Sequence, residues 1–445
     1  MEGIVIDVLR APELQRLRRI RQLGLAHYVF PGAEHSRLAH SLGAAYLAAR
    51  FGRRLMEATE GQLTSALRPT ESSVRDLAIA ALCHDLGHGP FSHAWEREVI
   101  GEDFDRRAWI AKLGLGGEAG ELEKLKWHEL VGQALLAWED GQLHRLLEQH
   151  EQGSSARIRY MLRGEYYLDY MPRLLSSDID VDRCDFLLRD AHQCGVQYGQ
   201  YDLNWLISTC GVGETQNRLI VGFDKRKAPR VIEQVLIARR ALYDTVYHHK
   251  TVHSAEGMIG LFLKRLKALV GRGEFGTLQS SPLVAPFVRI LAGEVLEPSA
   301  LLSLDDYSLW VLADMVKANP DPTAADLARR ILERDLFKMV QVPSEKICEF
   351  FMRRDAHDRM CTLIKPFCPG LSDYYYFVDR LGFRMLSDRE ENYAYFVDTD
   401  APGTDSAQPI REHSSIRGYW DEARTSVRLF TVREAVDAAR EAITG

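Results

Sequence analysis

The spacing of apolar residues predicts a chain that is mostly helical. Between residues 36 and 58, leucine or alanine recurs at positions 38, 42, 45 and 49 with no proline, which places these residues on one helix face. Ser72 or Ser73 is the expected N-cap of a second helix with apolar positions 74, 77 and 81. Glycines and a proline at 87–90 stop helical structure, so we expect residues 84 and 85 at the C-terminal end of this helix.

The pattern changes towards the C-terminus. Helical spacing is found at 304–318 and 324–338, whereas residues 218–223, 374–378 and 393–397 resemble strands and 401–409 an exposed loop. We therefore predict a mainly α fold. It consists of a helical core at 1–340, with a short strand and turn near 215–230, and a smaller mixed α/β region at 341–445 with an oligomerisation or regulatory role.

Composition narrows the class of protein. Hydrophobic residues make up 46% and charged residues 27%, and no apolar run reaches the roughly 18 residues that a membrane span needs. The N-terminus lacks a signal-peptide pattern, so we expect a cytoplasmic protein without membrane contact. Seven cysteines without a CxxC pair predict reduced thiols. A net charge of -7 does not favour nucleic acid as a partner.

Histidines are concentrated where chemistry is expected. Residues 84–93 contain three histidines and Asp85, and of all the histidines only His357 and His413 lie beyond residue 253. Imidazole beside carboxylate suits a divalent ion of the manganese, iron, zinc or magnesium group, which indicates metal-assisted hydrolysis. A ligand from elsewhere must complete the shell, and the candidates are His40 and Asp182.

Two further segments carry ligand-binding side chains at helical spacing. If Ser177 caps a helix, residues 182, 183, 186 and 190 lie on one face. Arg239, Tyr243 and Tyr247 lie four residues apart. These side chains could bind a phosphate and form one wall of a sugar-binding site. The alternative is an arginine lying over ordinary core tyrosines.

Ordered motifs give a specific resemblance. His40, the His84-Asp85 pair and Asp182 resemble the H…HD…D signature of HD-domain phosphohydrolases. Seven strings are similar to the deoxynucleoside triphosphate (dNTP) triphosphohydrolase branch, which includes the SAM- and HD-domain dNTPase and bacterial dGTPase-like enzymes. They are QLG (22–24), YVFPGA (28–33), HSRLAHSLG (35–43), HDLGHGPFSH (84–93), WHE (127–129), IDVDR (179–183) and YHHK (247–250). The resemblance extends from about residue 12 to residue 338.

The resemblance implies a role for each matching residue. The metal ligands would be His40, His84, Asp85 and Asp182. The acid/base group would comprise His88, His93 and His128, with His93 as the favoured acid and Glu129 orienting a neighbour. Substrate-binding positions would include the phosphate-binding Arg37, Arg183 and Arg239, Gln22 and Asp190 at the 3′-hydroxyl, and Leu23 and Tyr247 behind C2′. Phe186 and Tyr243 occupy further substrate positions, where relatives commonly have tyrosine and histidine.

The implied reaction is hydrolysis of a dNTP to deoxynucleoside and inorganic triphosphate by attack of water at the α-phosphorus. One divalent metal ion would be required, with manganese or iron favoured. The chain has no GxxxxGK[ST] motif of P-loop hydrolases. The resemblance also implies a homo-oligomer.

The N-terminal residues that would bind a regulatory nucleotide match the family less closely than the catalytic motifs do. Gln15 and Arg18 are retained, but Arg10 stands where relatives with a guanine-specific activator site have aspartate. A nucleotide effector is therefore not expected in its familiar form. The arginines at 16, 18, 19 and 21 could hold an effector phosphate or contact nucleic acid, or they could form a solvated helix face opposite the leucines at 14, 17 and 23.

Other functions stay open on sequence grounds. One rival is an HD-type hydrolase of another nucleotide, or a nucleic-acid phosphodiesterase on the same metal site. Gln22 and Asp190 speak against a 3′-pyrophosphorylated nucleotide, since they would face a free 3′-hydroxyl. A second rival is a non-catalytic nucleotide-sensing scaffold, which the complete set of metal-binding and acid/base residues disfavours.

Overall fold

The computed structural model describes residues 2–101, 104–276, 278, 281–399, 406–413 and 424–445. In its first part the helices are α1 Glu2–Leu9, α2 Pro12–Gln15, α3 Arg37–Ala58, α4 Glu71–Cys83, α5 His93–Trp95, α6 Arg106–Lys112, α7 Ala119–Leu122, α8 Trp127–Ala137, α9 Gln142–His150 and α10 Ser154–Arg163. These helices carry the residues around the HD pair.

The later helices are α11 Val181–Cys194, α12 Leu203–Ser208, α13 Pro229–Leu242, α14 Lys250–Gly271, α15 Ala285–Leu291, α16 Pro298–Leu301, α17 Asp306–Val316, α18 Pro322–Leu332, α19 Ser344–Phe351, α20 Ala356–Ile364 and α21 Val436–Thr444. Two π-helical segments follow regular helices, Glu96–Ile100 after α5 and Tyr243–Tyr247 after α13. Such segments are frequent at functional sites. The second contains Tyr243 and Tyr247, which line the cavity described below, and the first contains Glu96, which contacts the cavity-lining His128.

Two small sheets complete the fold. The strands are β1 Cys210–Thr215, β2 Arg218–Asp224, β3 Lys338–Val340, β4 Tyr376–Phe383, β5 Tyr395–Val397, β6 Ala407–Pro409 and β7 Arg424–Thr431. Their orders are β1-β2-β5-β6 and β3-β7-β4. Strands β2 and β5 pair in parallel, and the other pairs are antiparallel. The prediction of a mainly α fold with a smaller α/β part is confirmed.

Both sheets join the two predicted regions. Strand β2 pairs with β5, and β3 pairs with β7, so pairing crosses residue 340 in each sheet. One hydrophobic cluster extends from Ile4 to Ile443. The boundary near residue 340 therefore does not separate two hydrophobic cores, and it stays a prediction about function.

Helix caps differ from the predicted ones in two places. Thr70 caps α4 and exchanges hydrogen bonds with Ser73, which is the third residue of that helix rather than its cap. Asp180 caps α11 by accepting from the amide of Arg183 at 2.8 Å, whereas the Ser177 hydroxyl donates to the Ile179 carbonyl. A carboxylate thus begins the helix that carries Asp182.

The predicted strands are shifted or extended. Residues 218–223 form the second strand of a β1-β2 hairpin, whose turn residues Gln216 and Asn217 have φ of 50° and 61°. Two positive φ values are typical of the type I′ turn that suits a tight hairpin. Residue 374 lies in a 3-10 turn before β4. Residues 333–338 leave the predicted helix, and 338 begins β3.

Three further expectations concern the whole chain. All seven cysteines are free, as predicted. Among the described residues, no helix is long and apolar enough to cross a membrane. In the predicted loop at 401–409, residues 401–405 lie outside the described residues, and 407–409 form β6.

Candidate metal and substrate site

One cavity of about 660 Å³ collects most of the predicted site residues. It lies among α4, α8, α11, the π-helical segment after α13, the start of α14 and the segment 22–26. The predicted residues that line it are Gln22, Leu23, Arg37, His84, Asp85, His88, His128, Glu129, Asp182, Arg183, Phe186, Asp190, Tyr243 and Tyr247. Residues far apart in sequence thus meet around one space.

At one end of this cavity, the ligand atoms of His40, His84 and Asp182 lie close enough together to share one ion, and Asp85, the fourth predicted ligand, lies beside them. The Nε2 atoms of His40 and His84 are 3.2 Å apart. Asp182 Oδ1 lies 2.9 Å from the first of these atoms and 3.6 Å from the second, and Asp85 Oδ1 lies 3.3 Å from His84 Nε2. Helices α3, α4 and α11 each contribute, because α3 packs against both others.

The ring orientations leave both Nε2 atoms free to bind a cation. His84 Nδ1 donates to the Ala81 carbonyl at 2.7 Å, and His40 Nδ1 donates to Asp185 Oδ2 at 2.9 Å. With these Nδ1 protons engaged, the Nε2 atoms face the carboxylates, and a bound cation would displace the proton that His40 Nε2 shares with Asp182. Two imidazoles and two carboxylates match the ligand preferences of divalent transition metals, so the residues present fit such an ion.

Electrostatics around His40 favour positive charge. Burial lowers its pKa, but hydrogen bonds to Asp182 and Asp185 outweigh burial and raise the pKa to about 10. Burial raises the pKa of Asp85, yet Arg37 and neighbouring histidines hold it well below its usual range. The cluster therefore keeps its carboxylates ionised and attracts a cation.

Asp185 orients His40 and was not among the predicted site residues. It lies one turn after Asp182 on α11, and it is held in place by Arg189, whose Nε and Nη2 donate to its two oxygens at 2.7 and 2.8 Å. The i,i+3 spacing of Asp182 and Asp185 was a signal that could have found it.

A second group lies beside the metal ligands. The rings of His88 and His128 stack with centroids 4.1 Å apart, and His88 Nε2 lies 3.3 Å from Asp85 Oδ1. Burial, followed by the charge of Arg37, lowers the pKa of His88. A histidine kept neutral next to the ligand Asp85 is suited to handling protons there.

The carboxylate that orients His128 is Glu96, which the sequence analysis did not identify. His128 Nδ1 lies 2.9 Å from both Glu96 oxygens. Burial raises the pKa of Glu96, but hydrogen bonds from His128 and His88 hold it well below its ordinary value. Glu129 accepts from the Lys126 amide at 2.8 Å and caps α8, and its orienting role stays a prediction.

These three side chains are also close enough to hold an ion. The ligand atoms of His88, Glu96 and His128 lie within 4.8 Å of one another. Both Glu96 oxygens are already engaged by His128, which fits a proton-handling group better than a second ion site. The side chain of His93, the favoured acid, lies outside the described residues, so its role stays a prediction.

Two of the predicted phosphate-binding arginines line the cavity, and one does not. Arg37 donates to Asp85 Oδ2 at 2.6 Å and to Ser92 Oγ at 2.8 Å, and Arg183 pairs with Asp180. Arg239 lies behind the wall, where its Nη1 donates to the Met385 carbonyl at 2.6 Å. Its buried Nε has no hydrogen-bond partner among the described residues.

The predicted sugar-binding residues form another wall. Asp190 is 1% exposed, and it accepts from Tyr247 Oη at 2.7 Å and contacts His35 Nε2 at 2.8 Å. Gln22 Oε1 is buried without a hydrogen-bond partner in the described structure. A buried polar atom of this kind in a cavity wall is available to a ligand hydroxyl.

Aromatic rings close this wall. The rings of Phe186 and Tyr247 are 6.2 Å apart, and Tyr243 stacks on Phe383 at 3.9 Å. Phe383 belongs to the C-terminal region, for which the sequence analysis found no site residue. The C-terminal region therefore supports the cavity wall.

Three of the four N-terminal arginines are paired with other parts of the protein, and one of these, Arg16, is buried. Arg16 is 1% exposed and donates to the His88 carbonyl at 2.7 and 2.6 Å, and Arg19 and Arg21 pair with Asp305 and Glu34. Arg18, which bonds Gln15, and Arg19 are exposed and fit the predicted solvated face. The run thus differs from a fully solvated helix face.

Comparisons with known proteins agree with this geometry. The HD domain model matches residues 37–184. The uncharacterized protein YwfO of Bacillus subtilis is 30% identical over 79% of this chain and 71% of its own length. The human deoxynucleoside triphosphate triphosphohydrolase SAMHD1 is 30% identical over 59% of this chain and 42% of its own length, so this chain covers less than half of that protein.

Solved structures show the same fold. A phosphohydrolase from Bacteroides thetaiotaomicron superposes with a TM-score of 0.74 at 24% identity, covering 97% of this chain and 96% of the other. The HD motif, the converging His and Asp side chains and these relatives lead to one assignment. The chain belongs to the HD-domain phosphohydrolase family.

Proposed function

We propose that this protein hydrolyses dNTPs to deoxynucleoside and inorganic triphosphate by attack of water at the α-phosphorus. The observation that carries the proposal is that one cavity joins a metal-ligand cluster, a stacked histidine pair and a closed wall around Asp190. The human relative's name supports the same substrate class.

The metal end suits the chemistry of a phosphoester. A divalent ion held by His40, His84, Asp85 and Asp182 would acidify water and polarise a phosphoryl oxygen. Arg37 lies against Asp85, so its guanidinium is placed to offset charge that develops on the phosphate. Arg183, on the same cavity wall, is placed to bind the remaining phosphates.

The histidine pair suits proton delivery. Glu96 engages Nδ1 of His128, which leaves Nε2 of that ring for the cavity. His88 is held between Asp85 and Glu96 and stays neutral because burial lowers its pKa. After taking up a proton, one of these rings, or His93, would in its imidazolium form protonate the departing 5′-oxygen.

The opposite wall suits deoxyribose. Tyr247 already donates its hydroxyl proton to Asp190, and Phe186 packs nearby. A 2′-hydroxyl placed there would lose its hydrogen bonds to water without gaining a donor, which disfavours ribonucleotides. Gln22, whose buried Oε1 has no partner among the described residues, would bind the 3′-hydroxyl together with Asp190.

Product analysis tests the proposal. Purified protein is incubated with manganese or iron and each dNTP, singly and in mixtures, and the products are separated by ion-exchange chromatography. Triphosphate and deoxynucleoside are expected, and Asp182→Ala should lose both turnover and bound metal, while Glu57→Gln on the exposed surface serves as the matched control. Release of orthophosphate, or degradation of oligonucleotides without dNTP turnover, would contradict the proposal.

The same proposal extends to assembly and regulation. We expect a cytoplasmic homo-oligomer to which residues 341–445 contribute. A nucleotide effector, bound otherwise than at the familiar guanine-specific site, would raise turnover in dNTP mixtures above that with any single dNTP. Light scattering with and without dNTPs measures the assembly. A monomer that is fully active on single dNTPs would contradict this part.

A further inference from the structure

The turn after the HD pair has an unusual backbone. Phe91 and Ser92 have φ of 49° and 43°, a left-handed conformation that non-glycine residues adopt only where surrounding contacts impose it. Ser92 Oγ accepts from Arg37, which in turn pairs with the metal ligand Asp85. The position of this turn therefore determines the position of Arg37.

Helix α17 holds this turn from outside the segment that the HD model matches. Asp306, 1% exposed, accepts from the Phe91 amide through Oδ1 at 2.9 Å and from the Arg21 amide through Oδ2 at 2.8 Å. On the next turn of the helix, Trp310 meets the Phe91 ring edge to face at 5.3 Å. One carboxylate thus joins two segments that line the cavity.

Arg16, which also lies outside residues 37–184, holds the other end of the turn. Arg16 is buried and donates through both terminal nitrogens to the His88 carbonyl. Arg21 directly precedes Gln22, whose side chain lines the cavity. Fixing the amides of residues 21 and 91 together therefore sets the distance between the Gln22 wall and the turn.

We propose that Asp306 is a positioning residue for the reaction. It aligns the turn that carries Ser92, and through it Arg37, with the wall that contains Gln22. The inference rests on the proposed function for its substrate. The two hydrogen bonds by which Asp306 clamps the amides of Arg21 and Phe91 do not depend on that function. Small displacements of groups that bind the reacting phosphate lower the rate much more than they weaken binding.

The test is Asp306→Asn, with Asp314→Asn on the exposed face of the same helix as control. Asparagine keeps the volume but offers one acceptor where two amides donate. We expect kcat for dNTP hydrolysis to fall by about 10²-fold, with a smaller rise in KM and with the bound-metal stoichiometry unchanged. Amide hydrogen exchange at Phe91 and Arg21 should become faster in this variant only.

Several outcomes would overturn the inference. They are a kcat within twofold of the wild-type value, a loss of activity that follows loss of metal, or unchanged exchange at both amides. If Asp306→Asn does not fold, Trp310→Leu tests the same turn, and an unchanged kcat in that variant also refutes the role. If the wild type hydrolyses no dNTP, the proposed function fails, while hydrogen exchange and the rate on bis-p-nitrophenyl phosphate still test the clamp.

Discussion

Asp185 fixes the ring of His40: its Oδ2 accepts from Nδ1 at 2.9 Å, so that the opposite nitrogen faces Asp182 and His84. A carboxylate behind a metal-binding histidine sets the tautomer and raises the basicity of the ligand nitrogen. Asp185 is itself held by two hydrogen bonds from Arg189. The metal cluster therefore depends on a residue that does not face the cavity.

We expect Asp185→Asn to weaken metal binding by about 10–100-fold, because the amide is a weaker acceptor and no longer neutralises the cluster. Titration of the metal-free protein with manganese, followed by calorimetry, measures the change. Asp7→Asn, which alters an exposed carboxylate, is the control. An unchanged affinity would show that Asp185 is not required for the orientation of His40.

The two carboxylates near His128 should have different effects. Glu96→Gln removes the partner of Nδ1 and should lower kcat by about 10²-fold with little change in metal content. Glu129→Gln weakens the cap of α8 and should mainly lower stability, by about 1 kcal/mol. Steady-state kinetics with thermal unfolding separates these effects. A larger loss of kcat in Glu129→Gln would support the role that its sequence position implied.

Phe383 should affect substrate binding although it lies in the C-terminal region. Its ring stacks on Tyr243 and lies 5.6 Å from the Arg239 guanidinium. Phe383→Ala should raise KM several-fold and lower stability by about 2 kcal/mol, because both groups lose their support. Phe367→Ala, a more exposed phenylalanine, is the control. Equal kinetic effects in the two variants would contradict a role for Phe383 in the cavity wall.

A histidine–aspartate pair, His253 and Asp379, joins α14 to the C-terminal sheet and should make stability depend on pH. Burial lowers the pKa of His253, but the hydrogen bond to Asp379 Oδ2 at 2.9 Å outweighs it and raises the pKa above its ordinary value. The charged pair therefore stabilises the fold in full below the unfolded pKa, near 6.5. This stabilisation is lost as pH rises through the higher folded value.

We accordingly expect Asp379→Asn to lower the thermal unfolding midpoint more at pH 5.5 than at pH 9. Differential scanning calorimetry at the two values measures the difference. The control is Asp373→Asn, a carboxylate that precedes the same sheet. A difference that is larger at pH 9 would have the wrong sign for a raised histidine pKa.

Local patterns explain why much of the helical core could be predicted. The α3 and α4 spans follow from apolar spacing and from the glycines and proline after residue 86. The N-cap of α4 could not be predicted, because Thr70, Ser72 and Ser73 can all cap a helix. The path of the preceding chain decides that Thr70 does so. The strand at 338–340 was missed because its partner β7 lies more than 80 residues away.

In the candidate site, too, local motifs could be read from the sequence, whereas contacts between distant residues could not. The HD motif and its spacing to residues 40 and 182 pointed to a metal site, since few arrangements other than a metal site bring together so many imidazoles and carboxylates. Glu96 was missed because glutamate in a helical segment resembles an ordinary surface residue. Its function depends on a π-helical segment that places it against His128.

The sequence by itself determined the mainly α fold, the metal-ligating residue types and the family, because periodicity and motif spacing are local properties of the chain. Only the tertiary structure decided which carboxylates orient the histidines, that Arg239 lies behind the cavity wall, and that Asp306 holds the turn at Phe91. These relationships join residues that are up to 215 positions apart. Their geometry depends on how helices and sheets pack, which no local pattern specifies.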